Sequence, residues 1–122
     1  MKHLHFDVET AGFYGAYWAC AGGSDCAVIA MIGDDPEDRL ARSAAKWLCG
    51  RGVNVLTMSP AKKDYGHHNY PLERIEAAIS WLKANGNKKI GIAGASTTGT
   101  LALTAAAMFP DITLTIAMTP SD

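Results

Sequence analysis

The sequence predicts an α/β fold in which helices cover both faces of a mostly parallel sheet. Apolar runs of strand length alternate with longer segments whose apolar residues recur every three or four positions. This alternation is typical of right-handed βαβ units. A turn rich in Gly, Ser and Thr also joins a buried strand to an apolar helix within residues 88–109. The predicted order is β-β-β-α-β-α-β-α-β.

The N-terminal part of the chain predicts an antiparallel pair of strands. Leu4 to Thr10 and Phe13 to Cys20 have strand composition, and the tight Ala11-Gly12 connection between them favours a hairpin. We place His3 and His5 on the solvated face of the first strand, where neither side chain has an assigned function.

A strand and a helix follow this pair. The apolar run of residues 26–32 is uninterrupted, which indicates a strand covered on both faces. Asp35 suits the N-cap of a helix and Pro36 its first position, so we expect the helix to begin there and to end near Gly50 or Gly52. Its inward face is predicted to consist of Leu40, Ala44, Trp47 and Leu48.

The second half of the chain repeats the strand and helix pattern. Val53 to Met58 is a predicted strand, and Pro71 opens a helix that ends at Asn85-Gly86. The last predicted strand alternates apolar residues with threonines up to Thr119. The carboxyl ends of the parallel strands share one edge of the sheet, where open α/β sheets bind their ligands. The helix after Pro71 has a predicted inward face of Leu72, Ile75, Ile79 and Leu82.

The turn between the fifth strand and the third helix carries the clearest functional pattern. Ser96 lies at its centre, and the small residues Gly94 and Gly99 permit a tight change of direction. A serine at such a turn is a nucleophile in the G-x-S-x-G pattern, from which this chain differs by Thr98 before the glycine. The N-terminus of the following helix offers free N–H groups and a positive dipole end to an oxyanion.

Together with the stretches around it, this turn resembles an α/β-hydrolase. More narrowly, the chain resembles the catalytic domain of the acyl-CoA thioesterase and bile acid-CoA:amino acid N-acyltransferase family, with dienelactone hydrolases as a looser relative. The resemblance runs from about Cys26 to Ser121 and rests, besides the turn, on residues 31–33, 38–53, 71–82 and 109–113. It implies a three-layer sheet of about six strands, with residues 1–122 as the N-terminal part of one hydrolase domain whose C-terminal strands and helices are missing.

The resemblance also implies the site. Ser96 would be the nucleophile of a serine hydrolase that acts on a small acyl thioester or ester. The backbone N–H groups of Met31 and Thr97 would form the oxyanion hole, and Gly94 and Gly99 would shape the turn. The implied chemistry needs neither a metal nor a cofactor.

The sequence contains no complete catalytic triad. No histidine follows Ser96, and the only acids after it are Asp111 and Asp122, whereas this fold places the acid and then the histidine after the nucleophile. A serine without a general base is a poor nucleophile. We therefore expect a complementing C-terminal fragment, or self-association through the open sheet edge, and an inactive isolated chain. His67 and His68 lie in a predicted loop at the same edge of the sheet and are alternative candidates for a catalytic or substrate-lining role.

Composition limits the other classes of function. The formal net charge of −1 argues against nucleic acid or an anionic membrane as partner. The polar N-terminus is unlike a signal peptide, and three cysteines without a metal-binding spacing suggest reduced thiols and a cytoplasmic location. The main alternative function is a catalytically silent α/β-hydrolase-like binding module in which Ser96 only shapes the rim of the site. A purely structural alternative is that Ser96 is the N-cap of the helix that follows it. A phosphate-binding loop is disfavoured because Thr100 and Leu101 replace its Lys and Ser/Thr.

Overall fold

The computed structural model describes residues 3–32, 35–58, 72–95 and 97–118. These residues form six strands and four helices in one sheet-centred unit. The strands are β1 (Leu4–Phe6), β2 (Gly15–Trp18), β3 (Cys26–Met31), β4 (Asn54–Met58), β5 (Lys89–Ala95) and β6 (Ile112–Met118). The helices are α1 (Val8–Ala11), α2 (Arg39–Cys49), α3 (Leu72–Ala84) and α4 (Thr97–Met108).

The strands form a single mixed sheet in the order β1-β2-β4-β3-β5-β6. Strand β2 pairs antiparallel with β1 and β4, whereas β3 pairs parallel with β4 and β5, and β5 pairs parallel with β6. The predicted α/β class, with its mostly parallel sheet, is therefore confirmed. Because β3 to β6 run in one direction, their carboxyl ends lie at one edge of the sheet.

The first two strands pair as predicted, but their connection is different. The predicted strand over residues 4–10 ends at Phe6, and α1 forms a single helical turn in its place. Gly12 ends this turn with φ 85°, a left-handed conformation that glycine adopts without strain. The extra turn lets Phe6 pack on Phe13 and Trp81, with ring centroids 5.0 and 4.8 Å apart.

Helix α2 corrects two expectations. It begins at Arg39 rather than after Asp35, because Asp38 is the N-cap and its carboxylate accepts a hydrogen bond from the Ala41 N–H at 2.9 Å. The predicted inward face was wrong for Leu40 and Trp47, which are 61% and 57% exposed, whereas Leu48 packs against the core as predicted. Small residues, Ala41 and Ala45, face the sheet instead and allow the helix to approach it closely.

Helices α3 and α4 cover the other face of the sheet over a large apolar core. The predicted inward residues Ile75, Ile79 and Leu82 are buried there, and Leu72 packs at its margin. Ala102 and Ala105 bring α4 against the same core. Among the described helices, none is long and apolar enough to cross a membrane.

A buried amide network holds the amino-terminal edge of the parallel strands. The Asn54 side chain accepts from the Cys20 N–H and donates to the Asn87 side chain, both at 2.9 Å. Asn87 in turn donates to the Leu82 carbonyl at 3.1 Å. Buried polar groups are tolerated when they are paired in this way, so side-chain hydrogen bonds help to fix this edge.

Candidate active site

At the carboxyl edge of the parallel strands, β5 ends in the small residues Gly94 and Ala95. In the sheet register Met31 lies opposite Gly94, and Gly94 lies opposite Ala117. The last residue of β5, Ala95, lies opposite Met118. The ends of β3, β5 and β6 are therefore level, and small residues at the end of β5 leave room at its centre.

The junction between β5 and α4 spans a single residue. The strand ends at Ala95 and the helix begins at Thr97. Ser96 is the residue between them and lies outside the described residues, as do His67 and His68. A strand and a helix that are separated by one residue are the elements that the predicted tight turn requires.

The helix that follows the junction presents its positive end to this edge. The N–H groups of the first four residues of a helix, here 97–100, have no acceptor within the helix. These N–H groups carry the positive partial charge of the helix dipole. Thr97 and Gly99 both lie in this first turn. The start of α4 is thus suited to a developing negative charge, and the role of the Thr97 N–H as an oxyanion donor stays a prediction.

Met31 is the last residue of β3 and its side chain is fully buried in the core under α3 and α4. Its backbone lies beside β5 at the level of Gly94. The side chain is therefore structural. The role of the Met31 N–H as an oxyanion donor stays a prediction.

Two described histidines lie far from this edge and belong to another cluster. His3 and His5 both contact the Glu37 carboxylate, the latter with Nδ1 at 3.0 Å from Oε1, and His5 also contacts Asp7 at 3.1 Å. The His3 ring stacks on Trp18, with centroids 4.1 Å apart. Four strand spacings separate β1 from β5, a distance of about 19 Å, so neither histidine can act as a base at the end of β5.

Glu37 has a shifted pKa because of this cluster. Burial of the Glu37 carboxyl acts to raise its pKa, but its hydrogen bonds and charge interactions with His3 and His5 outweigh burial and bring the pKa below its usual value. Sequence analysis missed this cluster. Glu37 is 34 residues from His3 in sequence, and no local pattern joins them.

Asp111, the first acidic residue after β5 in the sequence, also lies too far from the end of β5 to act in catalysis. Asp111 directly precedes β6, at the amino-terminal end of that strand, and its carboxylate lies 2.6 Å from the Lys83 ammonium. The seven residues of β6 span about 23 Å, so Asp111 is at the opposite edge of the sheet. Asp122 lies outside the described residues.

The described part of the chain offers no metal site at this edge. Within residues 3–32, 35–58, 72–95 and 97–118, no group of three histidine, cysteine, aspartate or glutamate side chains could hold a metal ion. Cys20, Cys26 and Cys49 are free thiols. Burial raises the pKa of the Cys49 thiol, and the charge interaction with Cys20 raises it further. A raised thiol pKa lowers the thiolate fraction, so Cys49 is unsuited to act as a nucleophile.

Comparison with known proteins identifies the architecture. No family model matches the sequence, and no curated protein matches it. Among solved structures, the chain is similar to the α/β hydrolase GrgF from Penicillium sp. sh18, with a TM-score of 0.75, 22% identity, and coverage of 98% of this chain and 45% of that one. The fold is that of an α/β-hydrolase.

Two further solved structures are similar to this chain over about the same share of its length. Est1E from Butyrivibrio proteoclasticus has a TM-score of 0.72 at 21% identity, with 98% of this chain and 51% of that one covered. The Pyrococcus furiosus esterase Pf2001 has a TM-score of 0.72 at 23% identity, with coverage of 98% and 48%. The chain therefore spans about half the length of the solved structures it matches. These likenesses confirm the predicted hydrolase-type fold.

Proposed function

We propose that this chain carries the nucleophile of a serine hydrolase that cleaves small acyl esters or thioesters. The observation that carries the proposal is the one-residue junction between β5 and α4, at the carboxyl edge of an α/β-hydrolase sheet. Ser96 is the residue at that junction. An esterase among the similar structures supports the same class of reaction.

In the proposed reaction the Ser96 hydroxyl attacks the acyl carbonyl carbon and loses its proton to a general base. The resulting oxyanion accepts hydrogen bonds from the N–H groups of Thr97 and Met31. The alcohol or thiol leaves with a proton, and water then hydrolyses the acyl-serine. Gly94 and Gly99 serve this step by keeping the junction compact.

The base and its acid are proposed to come from outside the described residues. The described histidines are about 19 Å from β5, and Asp111 lies at the opposite edge of the sheet and contacts Lys83. The similar structures are about twice as long as the part matched here. We therefore propose that a completing polypeptide joins the sheet beyond β6 and supplies both groups. Residues 1–122 alone are then inactive, and we call the assembled form the completed protein.

The choice between ester and thioester is a finer part of the proposal. The resemblance to acyl-CoA thioesterases favours a thioester, whereas the similar structures include an esterase. Initial rates on p-nitrophenyl butyrate and on butyryl-CoA, measured with the same completed protein, separate the two substrate classes.

The three free cysteines are consistent with reduced thiols and a cytoplasmic location.

Removal of the Ser96 hydroxyl tests the function. In the completed protein Ser96→Ala should lower kcat/KM for the better substrate by about 10⁴-fold or more. Ser80→Ala is the matched control, because Ser80 is an exposed serine on α3, and it should leave the rate unchanged. Retained activity in Ser96→Ala would refute the nucleophile. A completed protein that hydrolyses neither substrate would favour the catalytically silent binding module.

A further inference from the structure

The His5 side chain, on the outermost strand of the described sheet, lies between two carboxylates. Its Nδ1 atom is 3.0 Å from Glu37 Oε1, and its Nε2 atom is 3.1 Å from Asp7 Oδ1. A neutral imidazole has one N–H and one nitrogen lone pair, whereas an ionised carboxylate only accepts hydrogen bonds. Both contacts are therefore hydrogen bonds only when His5 is an imidazolium, with a proton on each ring nitrogen.

The sheet register explains how Glu37 reaches this histidine. His5 lies opposite Ala16 on β2, and Ala16 lies opposite Thr57 on β4. Ala16 belongs to the apolar cluster beneath α2, so His5 projects from the same face. On that face the Thr57 hydroxyl donates to the Pro36 carbonyl at 2.6 Å, and Glu37 is the next residue. The segment before α2 therefore crosses from β4 towards β1, where the Glu37 carboxylate contacts the edge strand.

Strand β1 has few other attachments that hold it to the sheet. It consists of three residues and pairs with β2 along one side. On its opposite face Leu4 is 55% exposed, and Phe6 packs against the rings of Phe13 and Trp81. Short edge segments with little buried surface open locally at a small free-energy cost. We therefore expect the opening of β1 to respond to a change at His5.

The charges around His5 favour its protonated form. Its direct neighbours are the carboxylates of Glu37 and Asp7, and an opposite charge in contact favours the charged form of a titratable group. Further titratable or charged groups surround this cluster: Tyr14, His3, Arg42 and Asp35. The phenol ring lies 5.3 Å from the His5 ring, and the second imidazole shares the Glu37 carboxylate. The guanidinium donates to the Glu37 carbonyl at 2.7 Å, and the third carboxylate accepts from the Glu37 N–H at 2.9 Å.

We propose that His5 is a proton-dependent clamp that holds β1 at the edge of the sheet. With a proton on each ring nitrogen, it joins Glu37 to Asp7. When one ring proton is lost, a nitrogen lone pair faces a carboxylate oxygen, so one contact becomes repulsive and β1 opens more often. The clamp is separate from the proposed catalysis and involves no role of Ser96.

The clamp has a limit on each side of the pH scale. Burial acts to raise the pKa of the Glu37 carboxyl, but the hydrogen bonds and charges of the two histidines bring it below its ordinary value of 4.5. The contribution of Glu37 is therefore present above pH 4.5 and is lost as the pH falls through the folded pKa. The contribution of a histidine cation has the opposite sign, and histidines change charge between about pH 5 and 8. We expect β1 to be held most firmly at about pH 5–6 and to loosen by about pH 8.

Hydrogen exchange of residues 1–122 measures the opening of β1. Exchange is followed by pepsin digestion and mass spectrometry at pH 6 and pH 8, and the rates are corrected for the intrinsic pH dependence of amide exchange. Protection of the peptide that contains β1 should be about tenfold lower at pH 8 than at pH 6, since charge-assisted hydrogen bonds are lost. Protection of peptides from β3 should change by less than about twofold.

An amide in place of one carboxylate separates the clamp from a general effect of pH. In Asp7→Asn the new amide can donate to the Nε2 lone pair of a neutral His5, while Nδ1–H still donates to Glu37. Protection of β1 in this variant should therefore be similar at pH 6 and pH 8. Asp111→Asn is the matched control, because Asp111 is paired with Lys83 at an exposed position, and it should keep the tenfold loss of the unmodified chain.

Nitrogen-15 NMR of the imidazole rings tests the proton directly in the unmodified chain. The spectrum of His5→Gln identifies the His5 signals. Both ring nitrogens of His5 should carry protons at pH 6, and one should lose its proton over the pH interval in which β1 loses protection. A His5 ring with a single proton at pH 6, equal protection of β1 at the two pH values, or an equal loss in Asp7→Asn would overturn the proposal. A loss of protection of the same size in β3 would overturn it too.

Discussion

The face of the sheet under α3 and α4 is filled by large apolar side chains, whereas the face under α2 is built from small and polar ones. Ile29, Met31 and Leu56 point into the first face and are fully buried. Ala30 and Thr57 occupy comparable positions on the second, and Trp18 supplies most of its bulk. Among the described residues, the first face is therefore packed with large buried side chains, whereas Leu114 and Ile116 of β6 are exposed on the second.

This difference predicts that the two faces contribute unequally to folding stability. Burial of apolar surface dominates folding stability, so the α3–α4 face should carry most of it. The α2 face depends on hydrogen bonds and rings around Trp18, and its part over β5 and β6 is uncovered. Substitutions of the same type should therefore have very different effects on the two faces.

The largest expected difference in stability is between alanine variants of two isoleucines, one on each face of the sheet. Ile29→Ala removes a fully buried side chain from the α3–α4 face and should lower the free energy of unfolding by about 2–5 kcal/mol. Ile116→Ala, at a 41% exposed position on the other face, should cost about 1 kcal/mol or less. Urea unfolding of both variants measures the difference. Similar losses in the two would show that the faces contribute equally.

The next effect comes from the hydroxyl at the centre of the α2 face. Thr57 Oγ1 accepts from the Trp18 Nε1–H at 2.9 Å and donates to the Pro36 carbonyl at 2.6 Å. Thr57→Val leaves both groups without their partner inside the protein, and we expect a loss of about 1–3 kcal/mol by urea unfolding. Thr113→Val is the control, because its hydroxyl makes one contact of 3.4 Å at an exposed position. An unchanged Thr57→Val stability would mean that packing alone holds this face.

A smaller, pH-dependent effect is expected at the margin of the α2 face. His3, His5, Asp7 and the Arg42 side chain surround the segment that carries Glu37. The folded pKa of Glu37 is below its ordinary value of 4.5, so the ionised carboxylate favours the folded state. This stabilisation is present above pH 4.5 and is lost as the pH falls through the folded pKa.

Comparison with Glu37→Gln isolates this contribution. At about pH 6 the variant should have a lower midpoint urea concentration than the unmodified protein. This difference between the two midpoints should become smaller as the pH falls to about 3. Urea titrations at a series of pH values measure it. A difference between the two midpoints that becomes larger on acidification would contradict the lowered pKa of Glu37.

The smallest effect is expected at the exposed ion pair between Lys83 and Asp111. Both side chains are about half exposed, at 49% and 46%. Exposed ion pairs contribute about 0–1 kcal/mol, so Asp111→Asn should change stability by less than about 1 kcal/mol. Activity of the completed protein should also be unchanged in this variant, because Asp111 lies far from β5. Loss of activity would reassign Asp111 as a catalytic group.

The contrast between α3 and α2 shows what periodicity can predict. Ile75 and Ile79 are buried because α3 packs on the filled face as its apolar spacing indicates. The same kind of spacing assigned Leu40 and Trp47 wrongly to the inward face of α2, although Leu48 does pack against the core. Periodicity identifies an apolar face but does not show which of its residues contact the sheet.

The sequence likewise predicts some parts of the candidate site and not others. The strand that ends before Ser96 and the helix that begins after it were predictable, because each is formed by residues adjacent in sequence. The cluster of His3 and His5 around Glu37 was not, since it depends on bringing β1 beside the segment before α2. The residues after position 96 include no histidine, so local patterns around Ser96 do not identify its general base.

The site of covalent modification by a fluorophosphonate tests the central claim most directly. In the active, completed protein we expect one adduct, located by peptide mass spectrometry on the peptide that contains Ser96. The adduct should be absent from Ser96→Ala and present in Ser80→Ala, with loss of esterase activity in proportion to labelling. A protein that hydrolyses esters while its only adduct lies on another residue would contradict the account.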